Sequence, residues 1–293
     1  MSEYEITFDK EDHPGMKASL RLRWNEPEFP GKWSVCYADI NSNWSELKPL
    51  TSESQDLIWP YEALIWDFFL DEVKDVCPPS VVLNRSPEEL ECISDISGIC
   101  RGMTADLERC FTEDEKGKAA WIGGSLLLFS YIETLGRLFM PKKEIDNQKA
   151  MEAFIRVYMP NLARSIESTY REALHQLDRS NAFVRFYDCF RNGLSHQYFP
   201  KRGQIVIDRI DDNRDELIMR EEYAGGHVVI IINGVLDEFR TAVGEFLEDV
   251  IDKRHRVYKG NEIDVCNSCM QRLNWWLFQE SERLIKIVRT AFY

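Results

Sequence analysis

The sequence predicts a mainly α-helical protein: a helical bundle with a small antiparallel β insertion, preceded by a mixed N-terminal region. Three observations carry that expectation. From Ser86 onward apolar residues recur at helical spacing through most of the chain. Three short β-rich runs, Gln204-Ile205-Val206-Ile207, Glu216-Leu217-Ile218-Met219 and His227 to Ile232, interrupt that pattern. Residues 1–86 differ in composition, holding five of the eight tryptophans and most of the prolines. The expected divisions are an N-terminal region at 1–86, a helical domain at 87–258 with its β insertion at about 203–232, and a C-terminal helix at 259–293.

Within the leader, Ser19-Leu20-Arg21-Leu22-Arg23-Trp24 alternates polar and apolar, and Trp33-Ser34-Val35-Cys36-Tyr37 is β-rich, so two short strands are expected. A helix over 61–74 is closed by Cys77-Pro78-Pro79. The helical pattern then opens at Ser86-Pro87-Glu88-Glu89: Ser86 can cap, Pro87 suits a first turn, and the acids complement a helix N-terminus. Further helices are expected near 95–112, 117–140, 147–158, 160–178 and 180–197, which with short connections make a bundle. Ala224-Gly225-Gly226 marks a hairpin turn between the last two strands, and helices near 234–257 and 261–290 complete the chain.

Composition narrows the function. With 293 residues, 44% of them hydrophobic and 29% charged, the chain is ordinary for a globular protein rather than a disordered one. A formal charge of −14 argues against broad, non-specific nucleic-acid binding, which draws on many Lys and Arg contacts to phosphate, so any such contact must be local. The first residues lack a basic segment followed by an apolar run, and the longest apolar stretch, Ala119 to Ile132, is shorter than the ~20 residues of a membrane span and soon meets Glu133 and Arg137. A cytoplasmic protein with no membrane association is expected. Eight scattered cysteines fit reduced thiols in that compartment.

One segment reads as chemistry. Arg191-Asn192-Gly193-Leu194-Ser195-His196-Gln197-Tyr198 places a permanent cation, an imidazole and a phenol within eight residues. The helix carrying it repeats Phe183, Tyr187, Phe190 and Leu194 along one apolar face, with Arg191 beside that stripe. On an unbroken α-helix Arg191 and His196 would stand about 140° apart, since each residue advances about 100°. Two routes could bring them together: a loosening of the helix at Gly193, or a second copy of the chain across a two-fold axis.

The segment resembles the Arg-x4-His-x-Tyr signature of HEPN domains, all-helical modules that include metal-independent ribonucleases and toxin halves of toxin–antitoxin pairs. The resemblance covers about 90–200, so the bundle is expected to be HEPN-like. It implies a metal-independent endoribonuclease acting as a homodimer with a composite site, in the manner of toxin or defence proteins. His196 would serve as general acid or base, a role that imidazole side chains fill near neutral pH. Arg191 would offer a fork of donors to a phosphoryl group, and Asn192 would orient it. Tyr198, Lys201 and Arg202 are the expected substrate contacts. The chemistry calls for no metal and no cofactor. In the toxin branch sharing the His-x-Tyr ending, a nucleotidyltransferase antitoxin modifies the tyrosine, which implies such a partner for Tyr198. The alternative is a non-catalytic HEPN-like dimerisation, sensing or regulatory module, in which Arg191 and His196 point apart or are held in hydrogen bonds within one chain.

Two other clusters have simpler readings. Cys266-Asn267-Ser268-Cys269 has the spacing of a zinc half-site or redox pair, but no second pair accompanies it, and Cys266, Met270 and Leu273 fit a helix packing face. Lys253-Arg254-His255-Arg256, followed by Lys259, is the densest basic run and reads as a helix C-terminus ending at Gly260.

Overall fold

A computed structural model describes residues 3–9, 17–39, 48–50, 64–65, 73, 75–111, 118–141, 146–174, 182–197, 200, 203–206, 217–221 and 227–276. Most of these are helical. The chain divides into two compact units, Met1–Gly98 and Ile99–Tyr293.

The first unit holds a four-stranded antiparallel sheet in the order β1-β2-β3-β4, formed by β1 (Glu3–Asp9), β2 (Lys17–Glu26), β3 (Phe29–Asp39) and β4 (Lys48–Leu50). Strand alternation sorts its side chains. Tyr4, Ile6 and Phe8 lie opposite Leu22, Leu20 and Ala18, which in turn oppose Val35, Tyr37 and Asp39, giving one largely apolar face. On the other face Arg21 pairs with Glu3 and Glu5, each at 2.9 Å, and Arg23 pairs with Glu3 at 2.8 Å. The two expected strands thus lie inside β2 and β3. The alternating acids of Glu3-Tyr4-Glu5 disguise β1, because in sequence they read as a polar leader rather than as one side of a pleat.

Of the helix expected over 61–74, only Leu64, Ile65 and Val73 are described, and all three are helical. The Val76 and Cys77 amides donate to the Val73 carbonyl at 3.2 and 2.8 Å, ending that turn before the prolines. Pro79 then opens the short helix α1 (Pro79–Val82). Next comes α2 (Pro87–Phe111), whose start is a reciprocal capping box: Ser86 N donates to Glu89 Oε2 at 3.1 Å and Glu89 N donates to Ser86 Oγ at 3.3 Å. A break before residue 95 does not occur. Leu90, Ile93, Ile96, Cys100, Met103 and Leu107 form one buried stripe through the glycines at 98 and 102, and that continuous burial outweighs their low propensity.

The second unit continues with α3 (Lys118–Phe139), α4 (Asn147–Tyr158) and α5 (Pro160–Leu174). Leu128, Phe129, Ile132, Leu135 and Phe139 of α3 are fully buried. The helices α3 and α4 approach so closely at Gly136 that a Cβ there would lie 2.0 Å from the Ala150 carbonyl oxygen. Glycine is the residue that permits this crossing. Asp146 caps α4 by accepting from Gln148 N at 3.1 Å. The N-terminus of α5 is capped from elsewhere, Glu238 accepting from Asn161 N at 2.7 Å and Leu162 N at 2.9 Å.

The segment expected as one helix over 180–197 is α6 (Ala182–Phe186), a π-helical turn (Tyr187–Asn192) and α7 (Gly193–Gln197). The inserted sheet contains β5 (Gly203–Val206), β6 (Ile218–Glu221) and β7 (His227–Ile231) in the order β5-β7-β6. Here the expectation of an antiparallel insertion is corrected. β7 is antiparallel to β6 but parallel to β5, so β7, buried in the middle, reads as the unbroken apolar run Val228 to Ile231.

The helix α8 (Ile232–Asp252) ends with Lys253 in the left-handed region, φ 53°. The expected continuation to 257 is replaced by a hairpin of β8 (His255–Tyr258) and β9 (Asn261–Asp264), joined at Lys259 and Gly260 with φ 49° and 78°. Two consecutive positive φ angles are what a tight two-residue hairpin needs, so Gly260 marks a turn between strands rather than a helix end. The final described element is α9, residues 265–276. No described helix is long and apolar enough to cross a membrane.

Candidate functional site

The site residues rest on an aromatic floor. Phe129 of α3 stands 5.7 Å from Phe186 and 6.2 Å from Phe190, and the latter two lie 5.3 Å apart with their rings tilted at 45°. Phe129, Phe186 and Phe190 are at most 1% exposed, and each fully buried ring contributes roughly 2–3 kcal/mol of hydrophobic stabilisation. Phe186 and Phe190 are both buried, and Tyr187 sits at the margin of the π-helical turn, half-buried, where the simple helical stripe places it in the core. Such turns are rare and cluster at functional sites. They also change the geometry behind the expected separation of Arg191 and His196, which assumed a regular α-helix. The departure from regularity precedes Gly193, whose own backbone is helical at φ −57°.

Arg191, the last but one residue of that turn, is directed at α3. Its Nε donates to Glu133 Oε2 at 2.9 Å, and the Tyr187 hydroxyl donates to the same oxygen at 3.2 Å. The other carboxylate oxygen, Oε1, lies 3.9 Å from Arg137 Nε, one helical turn further along α3. Glu133 is 7% exposed, so one nearly buried carboxylate holds two guanidinium groups and a phenol. Burial and the negative charge of Glu133 push the Tyr187 hydroxyl up to about 12. Tyr187 is therefore a hydrogen-bond donor across the physiological range.

Asn192 turns elsewhere. Its Nδ2 donates to Asp188 Oδ1 at 2.8 Å on the exposed side of the turn, away from the role of orienting Arg191. His196 is exposed in α7, a helix that packs on α3, and makes no hydrogen bond to a described residue. Arg191 and His196 thus stand in different surroundings, one anchored inside the unit and the other at its surface. Tyr198, Lys201 and Arg202 lie outside the described residues.

Sequence reasoning missed Glu133 as a functional candidate. Its signal was present: Glu133 follows Phe129 by four positions and so shares the helix face that Phe129 buries, and a buried carboxylate needs a cation.

The basic run is accounted for within the chain. Arg256 donates to both oxygens of Asp249, Arg254 pairs with Asp252 at 2.6 Å, and Lys259 reaches Glu152 at 3.1 Å. Cys266 and Cys269 are buried on α9, where burial and neighbouring negative groups push the Cys269 thiol well up. No group of three or more metal-ligating side chains occurs among the described residues. No protein-family model, no curated protein and no solved structure matches the chain.

Proposed function

We propose that this protein is a HEPN-like, metal-independent endoribonuclease that acts as a homodimer. The observation that carries the reading is the arginine. Within the resembling segment, Arg191 is fixed through Nε alone, on a π-helical turn, and its two terminal nitrogens bond to no described residue while His196 stands exposed five positions on. A guanidinium held by its inner edge presents its outer edge to a phosphoryl group.

In the reaction, the ribose 2′-oxygen attacks the adjacent phosphorus and the 5′-oxygen leaves, giving a 2′,3′-cyclic phosphate and a 5′-hydroxyl end. One His196 takes the 2′-hydroxyl proton and the His196 of a second copy supplies the proton to the leaving oxygen. Arg191 balances the charge gathering on the non-bridging oxygens. Cytoplasmic action, a toxin or defence role and a nucleotidyltransferase partner for Tyr198 extend the same proposal. The test is incubation of the purified protein with a panel of RNAs, alongside His196→Ala and a measurement of mass in solution. Cleavage lost in the variant, from a dimeric protein, supports the reading; an intact panel with wild-type protein rejects it.

A second reading has one observation in its favour. The Glu133 to Arg191 bond within a single chain is what a non-catalytic dimerisation or sensing module would carry, with the arginine serving the fold. Under it, Glu133→Gln lowers stability and no RNA is cleaved by any form of the protein.

A further inference from the structure

Arg137 follows Glu133 by one turn of α3 and approaches the carboxylate oxygen that Arg191 leaves free. It follows Gly136, the residue at which α3 and α4 cross most tightly, so its backbone position is fixed by packing. Its side chain is 32% exposed and that of Arg191 is 20% exposed, so both are embedded at their stems and open at their ends. Both address the same Glu133 carboxylate, one oxygen each. The Arg137 Nε is buried and donates to no described acceptor, its 3.9 Å approach to Glu133 being an ion pair only, and its outer nitrogens bond to no described residue. A guanidinium embedded at its stem presents its outer edge, and that edge is what phosphoryl oxygens bind. One carboxylate against two guanidinium groups leaves an excess positive charge at this spot in a chain of formal charge −14.

We propose that Arg137 and Arg191, spaced by their shared Glu133, cradle one phosphate group of an RNA backbone, so that Arg137 is a substrate-binding residue of the site. This rests on the endoribonuclease reading for the identity of the ligand as RNA. Glu133 acts as a positioning residue: it binds Arg191 by the inner nitrogen and keeps the two like charges from driving each other apart. A phosphate entering between the guanidinium groups supplies the negative charge that one carboxylate alone does not.

The experiment measures binding of a single-stranded RNA oligonucleotide bearing 2′-O-methyl groups throughout, which cannot undergo attack by its own 2′-oxygen, at several salt concentrations. Arg137→Ala should raise Kd by about tenfold, and should lower the slope of log affinity against log salt by about 0.7, the value for one contact to a single strand. Arg137→Lys, which keeps the charge and the fold but not the fork, should bind several-fold more weakly with the slope unchanged. Arg240→Ala, removing an exposed arginine of α8, should bind as wild type does. Equal Kd and slope for wild type and Arg137→Ala overturns the proposal, as does failure of wild type to bind. The two readings fail separately. Wild type that binds through Arg137 but leaves unmodified RNA intact keeps the cradle and removes the ribonuclease. Cleavage by a protein whose binding ignores Arg137 does the reverse. Should Arg137→Ala not fold, Arg137→Lys decides by itself: unchanged affinity for the oligonucleotide overturns the cradle.

Discussion

Asp249 and Glu133 are built from the same parts and differ in how completely they are closed. Each is a nearly buried acid on a long helix, each accepts from a tyrosine hydroxyl, and each lies beside two arginines. Asp249 is 0% exposed, takes the Tyr158 hydroxyl at 2.8 Å, and engages Arg256 through both Nε and Nη2. Glu133 takes Arg191 through Nε alone and holds Arg137 at ion-pair distance. In the first cluster the acid uses its arginine fully and ties α8 to β8. In the second the arginines keep their outer nitrogens. An ion pair of the first kind fixes a fold; one of the second kind can also meet a ligand.

The contrast can be broken most easily at the closed end. Asp249→Asn should cost about 3 kcal/mol in a denaturant titration, because it removes the charge that balances Arg256 and turns one of the two buried acceptor oxygens into an NH2 donor facing other donors. A cost no greater than that of an exposed pair would remove the difference in kind. Glu133→Gln should cost less, about 1–2 kcal/mol, because water screens two arginines that are partly open. If its cost matches that of Asp249→Asn, the Glu133 cluster is as structural as the other and the non-catalytic reading gains.

A third measurement uses pH. The Tyr187 hydroxyl is pushed up to about 12 by burial and by Glu133, while in the unfolded chain it titrates near 10. A folded value raised above the unfolded one adds stability that is fully present below pH 10 and is lost as pH rises through about 12. The stability difference between wild type and Tyr187→Phe should therefore shrink between pH 9 and pH 11.5, as read from denaturation midpoints; a constant difference would separate Tyr187 from the Glu133 charge. The smallest effect is expected at Arg254→Ala. That arginine is about half exposed, pairs with Glu248 and Asp252 at the surface, and approaches Asp249 only at 3.8 Å where Arg256 already holds both oxygens, so stability should change by less than about 0.5 kcal/mol.

How much of this was legible in the sequence depended on whether the signal was local. The capping box at Ser86 and Glu89, the N-terminus of α4 and the β7 run could be read directly, because neighbours in sequence determine them. β1 was hidden, since Glu3 and Glu5 make sense only opposite Arg23 and Arg21 of the next strand. The β8–β9 hairpin is hidden, because Lys259-Gly260 is compatible with a helix end as well as a tight turn, and the bond from Arg256 to Asp249 of α8 lies outside that dipeptide. Arg191 was singled out by its motif, but its anchor lies 58 positions away in α3. Spacing within one segment could not supply that partner.

The π-helical turn at Tyr187–Asn192 has a consequence for how this part of the chain can vary. A π turn closes its hydrogen bonds over one residue more than an α turn does. Removing a single residue there would let the chain relax into an ordinary α-helix, with the Phe186 side of the core still in place. The helix on either side would keep its facing, because the wide turn is what absorbs the extra residue, and the change would fall on the turn itself, on the aim of Tyr187 and Arg191 at Glu133. The segment is thus tolerant of deletion as architecture and intolerant of it as a site, so a shortened relative could keep the shape and lose whatever this arginine does.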